Sequence, residues 1–128
     1  MRTMNKKQLN TTALAFIGDA VYEIYVREHV IKSGQTNADK LHQMAVAYVK
    51  AESQAKIGKA IFDELSEDEQ ALFKRARNRK TTSKPKNVDP VLYKLATAFE
   101  ALIGHLYLTG NKERLDEIIA LSFAEVER

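Results

Sequence analysis

Residues 13–22 read Ala-Leu-Ala-Phe-Ile-Gly-Asp-Ala-Val-Tyr. Apolar side chains fill nearly every position, so a helix built from them is apolar almost all round, as a central helix packed on several sides must be. Two residues break the run. Asp19 sets a carboxylate in the middle of that surface, where burial without a partner costs several kcal/mol or forces a proton onto it. It must therefore cap, pair with a cation, or bind metal. Gly18 beside it costs about 1 kcal/mol of helix propensity against alanine, which points to something approaching the backbone closely there.

Residues 96–104, Ala-Thr-Ala-Phe-Glu-Ala-Leu-Ile-Gly, repeat the anomaly. At 100° per residue, Glu100 falls among Ala96, Thr97 and Gly104, away from the stripe of Leu92, Leu95, Phe99, Leu102, Ile103 and Leu106. Small neighbours permit close helix approach, so Asp19 and Glu100 can meet between two packed helices. Converging oxygens suit Mg²⁺, with Mn²⁺ as a substitute, since these ions commonly use one or two carboxylates with waters and phosphate oxygens. The other reading is two structural carboxylates paired with Lys or Arg. Glu23, one turn after Asp19, is either a supporting group or an exposed glutamate. His29, His42 and His105 show no ligand spacing and read as surface or boundary residues.

The flanking sequence is helical as well. The first helix opens at Asn10, Thr11 or Thr12 and ends with Gly34 at the position after its cap. Thr36-Asn37-Ala38-Asp39 resembles a capping box and opens a second helix through Leu41, Met44, Ala45 and Tyr48, with a bend or break near Gly58. Ser66-Glu67-Asp68-Glu69 is a full capping box, and its helix carries Leu72 and Phe73 towards Pro85, which stops it. The acidic run Asp63, Glu64, Glu67, Asp68, Glu69 then complements the positive end of that helix. Asp89-Pro90 cap the fourth helix, which Gly110 ends. A fifth follows Asn111, with Leu115, Ile118, Ile119, Leu121 and Phe123 apolar. The reading is all-α, one domain over residues 1–128.

At 128 residues, 45% hydrophobic, the chain should bury roughly two-thirds of its unfolded surface without metal or disulfide staples. The absence of cysteine removes disulfides, thiolate zinc, iron–sulfur clusters and cysteine nucleophiles, and points to a reducing compartment. No apolar run follows the basic N-terminus, and none reaches the 18 or so residues of a membrane span. A cytoplasmic protein away from membranes is expected.

Net charge is +3, but residues 74–86, Lys-Arg-Ala-Arg-Asn-Arg-Lys-Thr-Thr-Ser-Lys-Pro-Lys, hold seven of the twenty Lys and Arg and no acid. The remaining thirteen face seventeen Asp and Glu, so the basic character is local. Arg75, Arg77, Asn78, Arg79, Lys80, Lys84 and Lys86, interspersed with Thr81, Thr82 and Ser83, are the donors that contact phosphates. With no aromatic between Lys74 and Val88, stacking on single strands is unsupported and a duplex backbone is favoured. The competing reading is a solvated basic loop.

Ala15-Phe16-Ile17-Gly18-Asp19-Ala20-Val21 resembles the ribonuclease III signature around Gly-Asp-Ala-Val. Phe99-Glu100-Ala101-Leu102-Ile103-Gly104-His105-Leu106-Tyr107-Leu108 resembles that family's second motif, and the two stand in the family's order. The resemblance covers nearly the whole chain. Arg77-Asn78-Arg79-Lys80 and Lys84-Pro85-Lys86-Asn87 are similar to elements of the short bacterial branch, Mini-ribonuclease III, which consists of the catalytic domain without a duplex-binding domain.

The resemblance implies an all-α homodimer that cuts double-stranded RNA with Mg²⁺, leaves short 3′ overhangs, and matures the large-subunit ribosomal RNA precursor. It implies that Asp19 and Glu100 are catalytic metal ligands. Two further family acids are absent, since Ala15 and Thr97 occupy their positions, as in the short branch; Thr97 is then a candidate to orient a water. A dimeric RNA-binding module that has lost its chemistry is the alternative, and a general helical RNA-binding adaptor a third. The first long helix, with apolar surface too extensive for a small domain to cover, is the expected dimer contact.

Overall fold

Asn10 accepts a hydrogen bond from the Ala13 amide at 2.8 Å and opens α1, Thr11–Ile31. The computed structural model describes residues 10–80 and 89–128. Within them follow α2 (Ala38–Val49), α3 (Ala51–Ile61), a 3₁₀ turn (Phe62–Glu64), α4 (Glu67–Asn78), α5 (Pro90–Leu108) and α6 (Lys112–Val126). No strand occurs among the described residues, in agreement with the all-α expectation.

The remaining caps are local too. Asp89 accepts from Val91 ahead of Pro90, Asn111 from Arg114, and Ser66 and Glu69 form the reciprocal capping box. α5 is the hub. Its Leu95, Ala98, Phe99, Leu102 and Ile103 are buried, and α1, α3, α4 and α6 pack against it. Length and apolar composition alone would let α5 cross a membrane, yet half of it is buried inside this fold as the core helix.

Three boundaries differ from the sequence reading. α1 ends at Ile31 with Lys32 as its cap, and Gly34 (φ +90°) lies one residue further out than expected, in the turn beyond. α2 is capped by Asn37, not Thr36: Asn37 accepts from Lys40, while Gln35 receives the Thr36 and Asn37 amides, so Asp39 closes no box. The break falls at Lys50, which is extended (ψ 152°), and not at Gly58. Gly58 lies inside α3, where a Cβ would come 2.9 Å from the Phe73 ring; it is small for packing. This break makes six α-helices among the described residues where five were expected.

The acidic run also divides. Asp63 and Glu64 lie in the 3₁₀ turn, Glu67 and Asp68 in the first turn of α4. Glu69 is only 8% exposed. Its carboxylate takes two hydrogen bonds from Arg114 of α6, at 2.8 and 3.0 Å, and Arg114 also donates to the Glu64 carbonyl. The Arg114 guanidinium, with the Ser66 bonds, holds the Glu69 carboxyl below its usual range. His29 is a boundary residue as expected: its Nε2 lies 2.6 Å from Glu127, which also accepts from the Tyr48 hydroxyl.

α1 leaves apolar side chains uncovered. Phe16 is 81% exposed, and Ile24 and Ile31 are each 59% exposed along one side of the helix.

Candidate active site

α1 and α5 meet backbone to backbone at two glycines. A Cβ on Gly18 would overlap the Glu100 carbonyl oxygen, and one on Gly104 would overlap that of Leu14. Leu14 thus lies against Gly104 and Gly18 against Glu100, an antiparallel register that no larger residue would allow.

This contact brings the two anomalous carboxyls together, and Asp19 and Glu100 are hydrogen-bonded through their side chains. A bond between two carboxyls needs a proton, because two like charges at that distance cannot both persist. Burial is the largest influence on Glu100; the hydrogen bond and charge of Asp19 act in the same direction and together push it up to about 9, while a hydrogen bond from Gln54 pulls it down. Glu100 is half-buried and Asp19 is exposed at the mouth. Asp19 is therefore less buried than its sequence context suggested, and its partner is an acid. Among the described residues neither carboxylate forms an ion pair, which disfavours the reading of two structural acids neutralised by Lys or Arg.

The pair lines a cleft of about 640 Å³ between α1, α5 and the end of α4, with Arg79, Lys80 and Lys94 on its walls. Two hard oxygen donors facing an open cleft fit Mg²⁺, which binds through one or two carboxylates and retains waters. No cluster of three or more His, Asp or Glu forms among the described residues, so the rest of such a coordination shell would be water and phosphate oxygen. Glu23 is not part of it. Its Oε1 lies 3.5 Å from Arg27, its Oε2 is buried without a partner, and it faces an apolar groove with Leu41 and Val46.

The basic segment is brought only partly to this site. Arg79 and Lys80 line the cleft. Arg75, Asn78 and Arg79 line a neighbouring hollow beside Asn10. Arg77 turns to the other side of α4, donates to Asn78 at 3.2 Å, and lies near Lys59 and Lys94. Lys84 and Lys86 fall outside the described residues.

The family profile described as Ribonuclease III domain matches residues 12–111, a span that contains both carboxylates. The chain belongs to the ribonuclease III family. Within it the chain is similar to proteins named Mini-ribonuclease 3. That of Enterococcus faecalis is 48% identical over 115 residues, covering 88% of this chain and 87% of that one. That of Streptococcus pneumoniae is 44% identical, covering 93% and 94%. The fold is similar to the crystal structure of a Fusobacterium nucleatum protein, with a TM-score of 0.82 and 35% identity over 92% of this chain and 94% of that one.

Where the ribonuclease III resemblance leads one to expect two further acids, the cleft has Ala15 and Thr97. The Thr97 hydroxyl donates to the Tyr93 carbonyl at 2.9 Å, so only its lone pairs remain for a water. Sequence reasoning missed Lys94 and Gln54. Lys94 sits between Leu92 and Leu95 at the start of the apolar stripe of α5 and carries no local mark. Gln54 could have been found: it is polar on the buried stripe shared with Ile57 and Ile61.

Proposed function

We infer that this ribonuclease III family chain is a metal-dependent endoribonuclease that cleaves double-stranded RNA as a homodimer. The observation that carries this reading is the hydrogen-bonded Asp19–Glu100 pair in a cleft walled by Arg79, Lys80 and Lys94. Acids whose charge is unfavourable alone, beside cations spaced for a phosphodiester backbone, suit a site that receives an anionic substrate together with a divalent cation. Asp19 and Glu100 would hold Mg²⁺ or Mn²⁺, which when bound supplies an activated water and offsets charge at the scissile phosphate.

The chain's own groups do the rest. Glu100 holds a proton in the metal-free protein, one it would have to release to solvent to ligate a divalent cation. Arg79, Lys80 and Lys94 orient the backbone, and Arg75, Arg77, Asn78, Lys84 and Lys86 extend the grip along the duplex. The exposed face of Phe16, Ile24 and Ile31 supports a second copy, which would set one cleft on each strand. The full-length similarity supports one catalytic domain over residues 1–128. The proposal extends to maturation of the large-subunit ribosomal RNA precursor in the cytoplasm, which the motif resemblance and the cysteine-free composition support. A binding-only module is disfavoured because it has no use for a carboxyl held against its preferred charge.

A plain RNA duplex incubated with the protein and Mg²⁺ or Mn²⁺ tests the reading. Cleavage to products with short 3′ overhangs, abolished by EDTA, is expected. Duplex binding without cleavage under any divalent cation would overturn it.

A further inference from the structure

The break at Lys50 strands the last carbonyls of α2, whose helical amide partners are lost. Two side chains at the start of α3 take their place. Ser53 donates its hydroxyl to the Ala47 carbonyl at 2.6 Å, and Gln54 donates Nε2 to the Val49 carbonyl at 3.0 Å. Gln54 is 3% exposed. A carboxamide nitrogen has two protons, and a buried one must use both. The Gln54 side chain also hydrogen-bonds Glu100 of α5. α3 packs directly on α5, so this bridge joins the α2–α3 break to the carboxyl in the cleft.

We propose that Gln54 is a positioning residue for Glu100, its buried carboxamide fixing the rotamer in which the Glu100 carboxyl faces Asp19. The inference rests on the reading that these two acids hold a divalent cation. A glutamate side chain has three rotatable bonds, and its neighbours one turn away on α5, Ala96 and Gly104, are small. Gln54 is itself buried and anchored at Val49, whereas Asp19, the other partner of the carboxyl, is exposed at the cleft mouth. Hydrogen-bond partners behind a metal-binding carboxylate typically change metal affinity 10- to 100-fold when removed.

The test uses the whole chain and Mn²⁺ alone as the probe, with free Mn²⁺ followed by electron paramagnetic resonance. Gln54→Met removes the donor at similar volume. Gln54→Leu removes the donor with a second, branched apolar side chain, and serves if the methionine variant fails to fold by circular dichroism. Either variant should bind Mn²⁺ about tenfold more weakly or worse, while its affinity for an RNA duplex in EDTA stays within about twofold of wild type. A folded variant that binds Mn²⁺ like wild type, while Glu100→Gln has lost it, overturns the role of Gln54 alone. Parallel loss of Mn²⁺ and duplex affinity shows general loosening and also overturns it. If Glu100→Gln itself binds Mn²⁺ like wild type, the two-carboxylate reading falls, and this inference with it.

Discussion

Gly18 of α1 lies directly on the main chain of Glu100: a Cβ there would overlap the Glu100 carbonyl oxygen and come 2.8 Å from the Gly104 nitrogen. Main chain cannot swing aside as a side chain can. Gly18→Ala should therefore force α1 and α5 apart, costing about 3 kcal/mol or more, at the upper end of overpacking effects. Urea denaturation should show a lower midpoint, and any folded remainder should cleave poorly because Asp19 and Glu100 no longer meet.

Asp19→Asn and Glu100→Gln each remove ligand charge with little change in volume. Cleavage of an RNA duplex should fall at least about a hundredfold in both, more than loss of a supporting hydrogen bond causes. Duplex affinity in EDTA should be nearly unchanged. Near wild-type turnover in either variant would reject the metal-binding assignment.

Stability should depend on pH in opposite senses for two glutamates. Between its unfolded value of 4.5 and its folded value of about 9, Glu100 keeps in the fold a proton that the unfolded chain has released. Raising pH through that window therefore favours unfolding. Glu69 is lowered by Arg114, so its contribution is complete above its unfolded value and is lost as pH falls through the folded one. Metal-free melting curves should show wild type losing ground to Glu100→Gln steadily from about pH 5 to pH 9. Parallel curves would show that Glu100 ionises normally.

Much of this was readable in the chain because the signals are local. Asn10, Ser66, Asp89 and Asn111 each bond within three residues, and the run around Asp19 betrays itself by apolar context. The break at Lys50 was not readable, since no proline or glycine marks it and nothing in the spacing of Ser53 and Gln54 shows that their side chains serve the carbonyls of α2. Glu69 looked like one more acid of a helix start because its partner, Arg114, is 45 residues away. Lys94 belongs to the basic wall only through the packing of α4 on α5, which residue spacing cannot reveal.

The basic residues should act through phosphates. Replacing Arg77, Arg79, Lys84 or Lys86 singly by alanine should weaken binding of all duplexes alike, and each lost contact should flatten the logarithmic salt slope by about 1. Cleavage at saturating RNA should change much less. Affinity measured against salt for each variant decides it, and unchanged slopes would mean that these charges are merely solvated.

Ile24 is 59% exposed on α1 and lines no part of the cleft. If that face receives a second copy, Ile24→Glu buries a charge in the contact and should give a monomer where wild type sediments as a dimer at micromolar concentration. Helical content should be unaffected. A monomeric wild type would sink the dimer.

The α1–α5 crossing separates the spacing of the acids from the identity of most side chains around them. Backbone meets backbone at Gly18 and Gly104, so the gap between the carboxyl-bearing turns is a property of two polypeptide main chains and survives repacking elsewhere. The helix pair is thus a portable part. Grafted with its two glycines into another helical scaffold, it should carry the main-chain spacing of the two carboxyl-bearing turns with it.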